Sequence, residues 1–344
     1  MTARTLYFTA PGTVEVRAES VVDPDADELL VDTVASGISP GSELLVYRGE
    51  CPADMPVDET LDALSGTFEY PLQYGYAAVG EVRSVGRDVD ADWVGRRVFA
   101  FEPHADRFTA SPESVVPVED GVSAHEATLL PSVETATNLA LDGGPRVGER
   151  VVVFGAGLVG LCTTHVLSGF PLEELVVVEP MPTRRELART LGADTAVAPD
   201  AVGSAVDEFA DEAAEAAEAA AGADLVYELS GRPSTLDAAI DAVGYDGRVV
   251  VGSWYGTKRA AVDLGGAFHR DRISVESSQV STIDPELRGR WSKDRRFDVA
   301  FEQLRALDTD ALLTETVPFA DAADAYRRLD EQDLDAPHVV LTYG

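Results

Sequence analysis

Lysine is nearly missing from this 344-residue chain: Lys258 and Lys293 are its only two among 27 basic residues. Basic charge is scarce altogether, and 61 acids leave a formal net charge of −34. Such a surface repels phosphate backbones, so nucleic-acid binding is excluded as a function class. Cysteine is almost absent too. Cys51 and Cys162 cannot build a four-cysteine zinc lobe or a disulfide framework, and a reducing compartment follows. No run of about 18 apolar residues occurs, and no charged-then-apolar leader opens the sequence. The expectation is a cytoplasmic protein with no membrane partner. The acids are spread along the chain rather than gathered in a tail, which suits a cell with molar internal salt, where screening shortens self-repulsion.

What is present is 45% apolar content, ample for the two domains that the length suggests. The organising stretch is residues 151–160, VVVFGAGLVG. Four apolar residues predict a buried strand. Gly155, Gly157 and Gly160 follow in G-x-G-x-x-G spacing and lead into a helix-compatible run. The first glycine makes the tight turn, the second lets a pyrophosphate approach the backbone, and the third lets helix pack on strand. Leu158 and Val159 open the helix, whose N-terminal N–H groups and dipole favour an anion. Residues 175–179, LVVVE, predict the next parallel strand and end in Glu179, nineteen residues after Gly160. A carboxylate there suits the adenosine ribose hydroxyls of NAD and repels a 2′-phosphate; Arg184 and Arg185 nearby keep NADP open.

Before this unit the chain reads mostly as strands, at 5–9, 13–17, 28–34, 70–85 and 97–101, with one short helix inside 37–49. Ser123 and Glu126 fit a capping box that opens a helical region interrupted by Pro131. From residue 150 onward strands alternate with helices. Strands are expected at 150–154, 175–179, 195–198, 224–229, 248–252 and 273–277, and helices near 158–169, 183–191, 204–221, 233–243 and 263–269. This order predicts an α/β doubly wound parallel sheet. The run EAAEAAEAAA at 212–221 reads as an acidic surface helix. Two helices near 285–306, a strand at 314–318, a helix at 320–329 and a strand at 338–341 complete the expectation.

These motifs resemble the medium-chain dehydrogenase/reductase superfamily, of zinc-type alcohol dehydrogenase likeness. YPLQYGYAAVGEV at 70–82 is similar to the family's P-x-x-x-G-H-E-x-x-G-x-V segment. VGERVVVFGAGLVG, EPMPTRRELARTLGAD and DLVYELSG match its cofactor unit. The resemblance implies a Rossmann domain at 126–284 and a β-rich, GroES-like catalytic domain from 1–125 and 285–344, with the active site between them. It implies further cofactor contacts from Ser230 and Ser253, at strand ends, and a homodimer or homotetramer whose candidate interface is 263–277. Departures are as informative. Ser39 stands where the family's first zinc-binding cysteine belongs, Tyr76 replaces its histidine and Ala77 its glutamate, and Leu130 and Pro131 take the place of the third ligand. Catalytic zinc wants three N, S or O ligands. The chain therefore looks like a zinc-free member, and its G-I-S-x-G-x-E segment at 37–43, with Ser277-Ser278-Gln279-Val280, resembles the zinc-free subgroup that includes bacteriochlorophyllide hydroxyethyl dehydrogenases, which oxidise a secondary alcohol.

Without zinc, side chains must polarise the carbonyl or take the alcohol proton. Tyr76 is the candidate donor, or else a packed pocket aromatic. Ser39 and Ser42 are relay candidates or turn formers. His104, in FEPHADR, has the pKa range for a proton shuttle, or is an exposed loop histidine. Glu43 orients Ser39 or Tyr76, or is a first-turn helix acid. Glu134 is catalytic, or a structural carboxylate bonded to Arg48 or a backbone N–H. His125 and His338 read as structural. Three functions stay open: a zinc-independent NAD-linked alcohol dehydrogenase or ketone reductase, an NADPH-dependent quinone or enone reductase, and a dinucleotide-binding protein without turnover. In each, the partner is a small molecule.

Overall fold

The computed structural model describes residues 2–20, 23–209 and 221–344. Strands Thr2–Ala10 (β1) and Thr13–Ser20 (β2) pair antiparallel around a turn at Pro11-Gly12. Leu29–Ile38 (β3) buries most of both faces, as its near-continuous apolar run requires. Helix Pro40–Arg48 (α1) follows; a proline at its first position presets φ, and Gly49 ends it in the left-handed conformation. Ala78–Val85 (β4), Arg97–Ala100 (β5), Arg107–Ala110 (β6) and Val115–Pro117 (β7) then build on β3, which pairs directly with β4 and β6. The capping box at Ser123 and Glu126 forms, with both reciprocal bonds, and opens Ala124–Ala127 (α2). Leu130–Gly143 (α3) comes next, with Pro131 in its first turn rather than within a helix.

The alternating region is Arg150–Phe154 (β8), Leu158–Ser168 (α4), Glu174–Val178 (β9), Pro182–Thr190 (α5), Thr195–Val197 (β10), Val202–Asp207 (α6), Ala223–Glu228 (β11), Leu236–Asp241 (α7), Val243–Val251 (β12), Ala267–Arg270 (α8) and Ser274–Ser277 (β13). All six strands are parallel, in the order β10-β9-β8-β11-β12-β13. That order starts at the centre and reverses direction beside β8, the doubly wound pattern with its switch point between β8 and β11. Lys293–Ala306 (α9) ends this region. Glu315–Pro318 (β14), Ala322–Asp330 (α10) and Val339–Thr342 (β15) return to the first sheet, whose order is β14-β15-β3-β4-β5-β7.

The chain divides into two units, Met1–Pro131 with Thr309–Gly344, and Ser132–Asp308. The first has two cores. One gathers Leu6, Phe8, Tyr47, Tyr74, Phe319 and Tyr326; the other gathers Leu29, Val82, Val98 and Phe108 on the β3–β5 side. The second packs Val152, Val176, Val226 and Val249 of the parallel strands against Ala239, Ile240 and Phe209.

Three sequence expectations shift. Residues 285–292 form turns, so only α9 is helical in the stretch read as two helices. Residues 285–308 belong with the parallel-sheet unit, because α9 is pinned there by Arg296. The expected helix at 204–221 is seen at Val202–Asp207; the rest of it, with most of the EAAEAAEAAA run, lies outside the described residues. Among the described residues no helix is long and apolar enough to cross a membrane.

Candidate active site

In the parallel-sheet unit, β8 delivers its buried apolar run to the glycine turn. Gly155 has φ +100, and a Cβ there would lie 2.7 Å from the Leu229 carbonyl oxygen. A Cβ on Gly160 would lie 1.9 Å from the oxygen of Gly155. Both positions exclude a side chain because backbone meets backbone. Gly157 differs: a Cβ there meets nothing within 4 Å, so this glycine leaves open space beside the helix start. No side chain caps α4, which begins at Leu158. An open cradle at an uncapped helix N-terminus, at the switch point of the sheet, fits a pyrophosphate.

Glu179 lies just past β9 and is 5% exposed. Its Oε2 accepts the Ala156 N–H at 2.9 Å and its Oε1 accepts the Met181 N–H at 2.9 Å. The carboxylate is thus fixed by the glycine turn itself, with a second lone pair on each oxygen left for a ribose diol. Arg185 spends its guanidinium on the carbonyls of Glu179 and Pro180, 2.7 Å each. Arg184 sits half-buried beside it in the first turn of α5. Ser230 and Ser253 both fall at strand ends, but their hydroxyls serve the loops. The Ser230 hydroxyl donates to Glu228, and Ser253 Oγ accepts the Gly231 N–H at 2.9 Å. Glu228 escaped the sequence reading; its signal is an acid directly after the apolar run Leu225–Tyr227 of the strand.

In the β-rich unit, α1 positions a second group of residues. Ser39 is its N-cap but makes no side-chain cap bond. Instead Glu43 reaches back, and its Oε1 accepts the Ser39 N–H at 2.7 Å. Glu43 is fully buried, and its Oε2 also accepts from Tyr326 Oη and pairs with His104 Nε2 at 3.0 Å. With the carboxylate ionised, Nε2 carries hydrogen, so in the neutral ring Nδ1 accepts from the Ser36 hydroxyl at 2.7 Å. Tyr343 Oη meets Ser36 Oγ at 2.7 Å and completes the chain. His104 is therefore not an exposed loop histidine; it is bonded at both ring nitrogens. It is a buried cross-brace, 0% exposed.

Tyr76 is different. It is part-exposed, and its phenol shares a 2.6 Å hydrogen bond with Ser42 Oγ. Burial raises its pKa; the Ser39 and Ser42 hydroxyls pull it partly back, and Glu43 adds to the rise. Tyr74 packs edge-on against it, centroids 6.0 Å apart.

Glu134 belongs to the other unit and takes neither partner foreseen for it. Its Oε1 receives Arg296 Nε at 3.0 Å and Nη2 at 2.6 Å, with both side chains buried. Arg48 pairs with Asp330 instead. His338 is buried against Thr128 Oγ1 at 2.8 Å, and burial pushes it down to about 3, with His125 adding to the drop.

The residues do not fit a catalytic zinc. Ser39 and Tyr76 offer hydroxyls, and Leu130 is fully buried hydrocarbon. Among the described residues no group of three or more His, Cys, Asp or Glu side chains could hold a metal. The nearest such pair, Glu43 and His104, is closed on itself by Ser36 and Tyr326.

Comparison with known proteins finds similar dehydrogenases. The sequence model described as zinc-binding dehydrogenase matches residues 159–297. The D-guloside 3-dehydrogenase of Escherichia coli K12 is 24% identical over 306 residues, covering 85% of this chain and 86% of its own length. An alcohol dehydrogenase of Escherichia coli CFT073, solved with NADH, superposes with a TM-score of 0.77 at 20% identity, over 99% of both chains. A zinc-binding dehydrogenase of Sinorhizobium meliloti 1021, solved with NADP, gives a TM-score of 0.77 at 18% identity over the whole of both chains. These solved structures share the fold. The chain is thus similar in sequence to zinc-type alcohol dehydrogenases and shares the fold of the solved ones.

Proposed function

We propose that this oxidoreductase interconverts a secondary alcohol and its ketone with NAD(H), without zinc, and that Tyr76 is its proton donor. The observation that carries the reading is the Ser42–Tyr76 hydrogen bond, 2.6 Å long, at the position where the resemblance implies a zinc-ligating histidine. The glycine turn and Glu179 support the dinucleotide, with NAD over NADP; the NADP-bound relative keeps the second open. The relative acting at the 3-position of a guloside supports a secondary hydroxyl as the reacting group.

When bound, the nicotinamide supplies or accepts the hydride. The chain's own task is the proton. In the reductive direction the Tyr76 hydroxyl donates to the developing alkoxide, and the Ser42 hydroxyl turns to stabilise the phenolate left behind. Burial raises the phenol, so the neutral, donating form persists past the ordinary tyrosine range near 10. Ketone reduction should stay flat through alkaline pH and fall only as pH climbs through that raised value. Tyr76→Phe should lower kcat by about 100-fold, the scale of one general acid, with KM changed by less than about threefold. Wild-type turnover in the variant would leave Tyr76 as pocket lining, and reduction of enones but not ketones would sink the reaction class.

A homo-oligomer, paired through the edge strand β13, is part of the same proposal. All four residues of β13 are exposed, and Leu264 and Val275 present apolar surface there.

A further inference from the structure

At the carboxyl end of the parallel sheet, a carboxylate is buried in a place the reaction does not use. Glu228 closes β11 and is 0% exposed. Its Oε1 accepts the Ser230 N–H at 3.0 Å and the Ser230 hydroxyl. Its Oε2 accepts the Tyr255 hydroxyl at 2.5 Å. All three donors are uncharged. A buried carboxylate costs several kcal/mol in desolvation, and an apolar residue would fill a strand end at less cost. What a carboxylate adds is direction. It can only accept, so Ser230 and Tyr255 both aim their hydrogens at it; Ser230 Oγ in turn takes the Arg232 N–H at 3.1 Å, and the Tyr255 oxygen keeps its lone pairs for an outside donor.

The same residue joins two loops. Its backbone oxygen accepts the Gly252 N–H at 3.1 Å and the Ser253 hydroxyl at 3.3 Å, and Ser253 Oγ takes the Gly231 N–H at 2.9 Å. The joined loops press on the fingerprint, since the Leu229 oxygen lies 2.7 Å from where a Gly155 Cβ would be. Glu179 sits at the end of β9, on one side of β8, and these loops at the ends of β11 and β12, on the other. A dinucleotide with its pyrophosphate on the turn and its adenosine ribose on Glu179 must lay its other half over β11 and β12.

We infer that Glu228, with Tyr255, is a positioning residue for the nicotinamide half of the dinucleotide. It fixes the two loops as one surface that offers hydrogen-bond acceptors to ribose hydroxyls and carboxamide N–H groups. This rests on the dinucleotide reading above. The experiment titrates the whole protein with NADH and separately with ADP, which carries only the adenosine half and the pyrophosphate. Trp254, exposed beside Tyr255, reports NADH binding by quenching. Glu228→Gln places an amide N–H against a donor, and should weaken NADH about tenfold while ADP changes less than twofold. Tyr255→Phe, which removes one surface-side acceptor, should weaken NADH by about threefold with ADP unchanged, and carries the test if the first variant does not fold. Parallel losses for NADH and ADP would mark Glu228 as a general brace of the unit and overturn the inference, as would unchanged NADH affinity. A wild-type chain that binds neither NADH nor NADPH overturns the dinucleotide reading itself, before any variant is compared.

Discussion

Glu179 shows how much one carboxylate can be asked to do. Its two backbone bonds tie the end of β9 to the glycine turn, and its remaining lone pairs are the ones proposed to take a ribose diol. Removing it should therefore harm both dinucleotides a little and NAD most. Glu179→Ala is expected to weaken NADH by tenfold or more and NADPH by markedly less, measured by fluorescence titration; equal losses would take Glu179 away from the ribose. This residue was legible in the sequence because a fixed spacing from Gly160 governs it. His104 and Glu228 were not. The burial of His104 depends on Ser36 and Glu43, 68 and 61 residues away, and no local pattern encodes such partners. Glu228 stood in plain view as an acid directly after an apolar run, but its purpose emerges only with Tyr255, 27 residues on.

At the scale of elements, α3 and α9 are held by a buried ion pair. Arg296, 1% exposed, binds Glu134 and also donates to Asn138 Oδ1 at 2.5 Å and to the Val280 carbonyl at 2.6 Å. Strand and helix periodicity identified the parallel sheet because its strands are apolar throughout and its turns are marked by glycine. It misplaced 285–308, because an amphipathic helix such as α9 does not say in sequence which core it covers. The buried arginine says it in structure. Arg296→Met should cost about 3–5 kcal/mol in denaturant unfolding, since it strands Glu134 without its partner. Adding Glu134→Leu should restore much of that loss. A double variant no more stable than the single would show that Arg296 acts through its carbonyl bonds rather than through the pair.

Over the whole molecule, the glycine fingerprint and its acid announced the dinucleotide unit, and the strand runs before residue 102 announced the β-rich unit. What the sequence could not supply was the pairing of Tyr76 with Ser42, made across 34 residues, on which the proposed proton-donor role rests. The net charge of −34 is a property of the same scale: it sets the solvent in which the chain should be assayed, because self-repulsion is screened within about 3 Å only near 1 M salt. The central claim is hydride transfer to or from a secondary alcohol with a tyrosine in place of zinc. Its most direct test is alcohol-dependent NADH formation in molar salt, on protein before and after exhaustive chelation, with zinc content measured on the same samples. The account predicts an unchanged rate and no stoichiometric zinc at either stage; a rate that collapses on chelation and returns with one zinc per chain would contradict it.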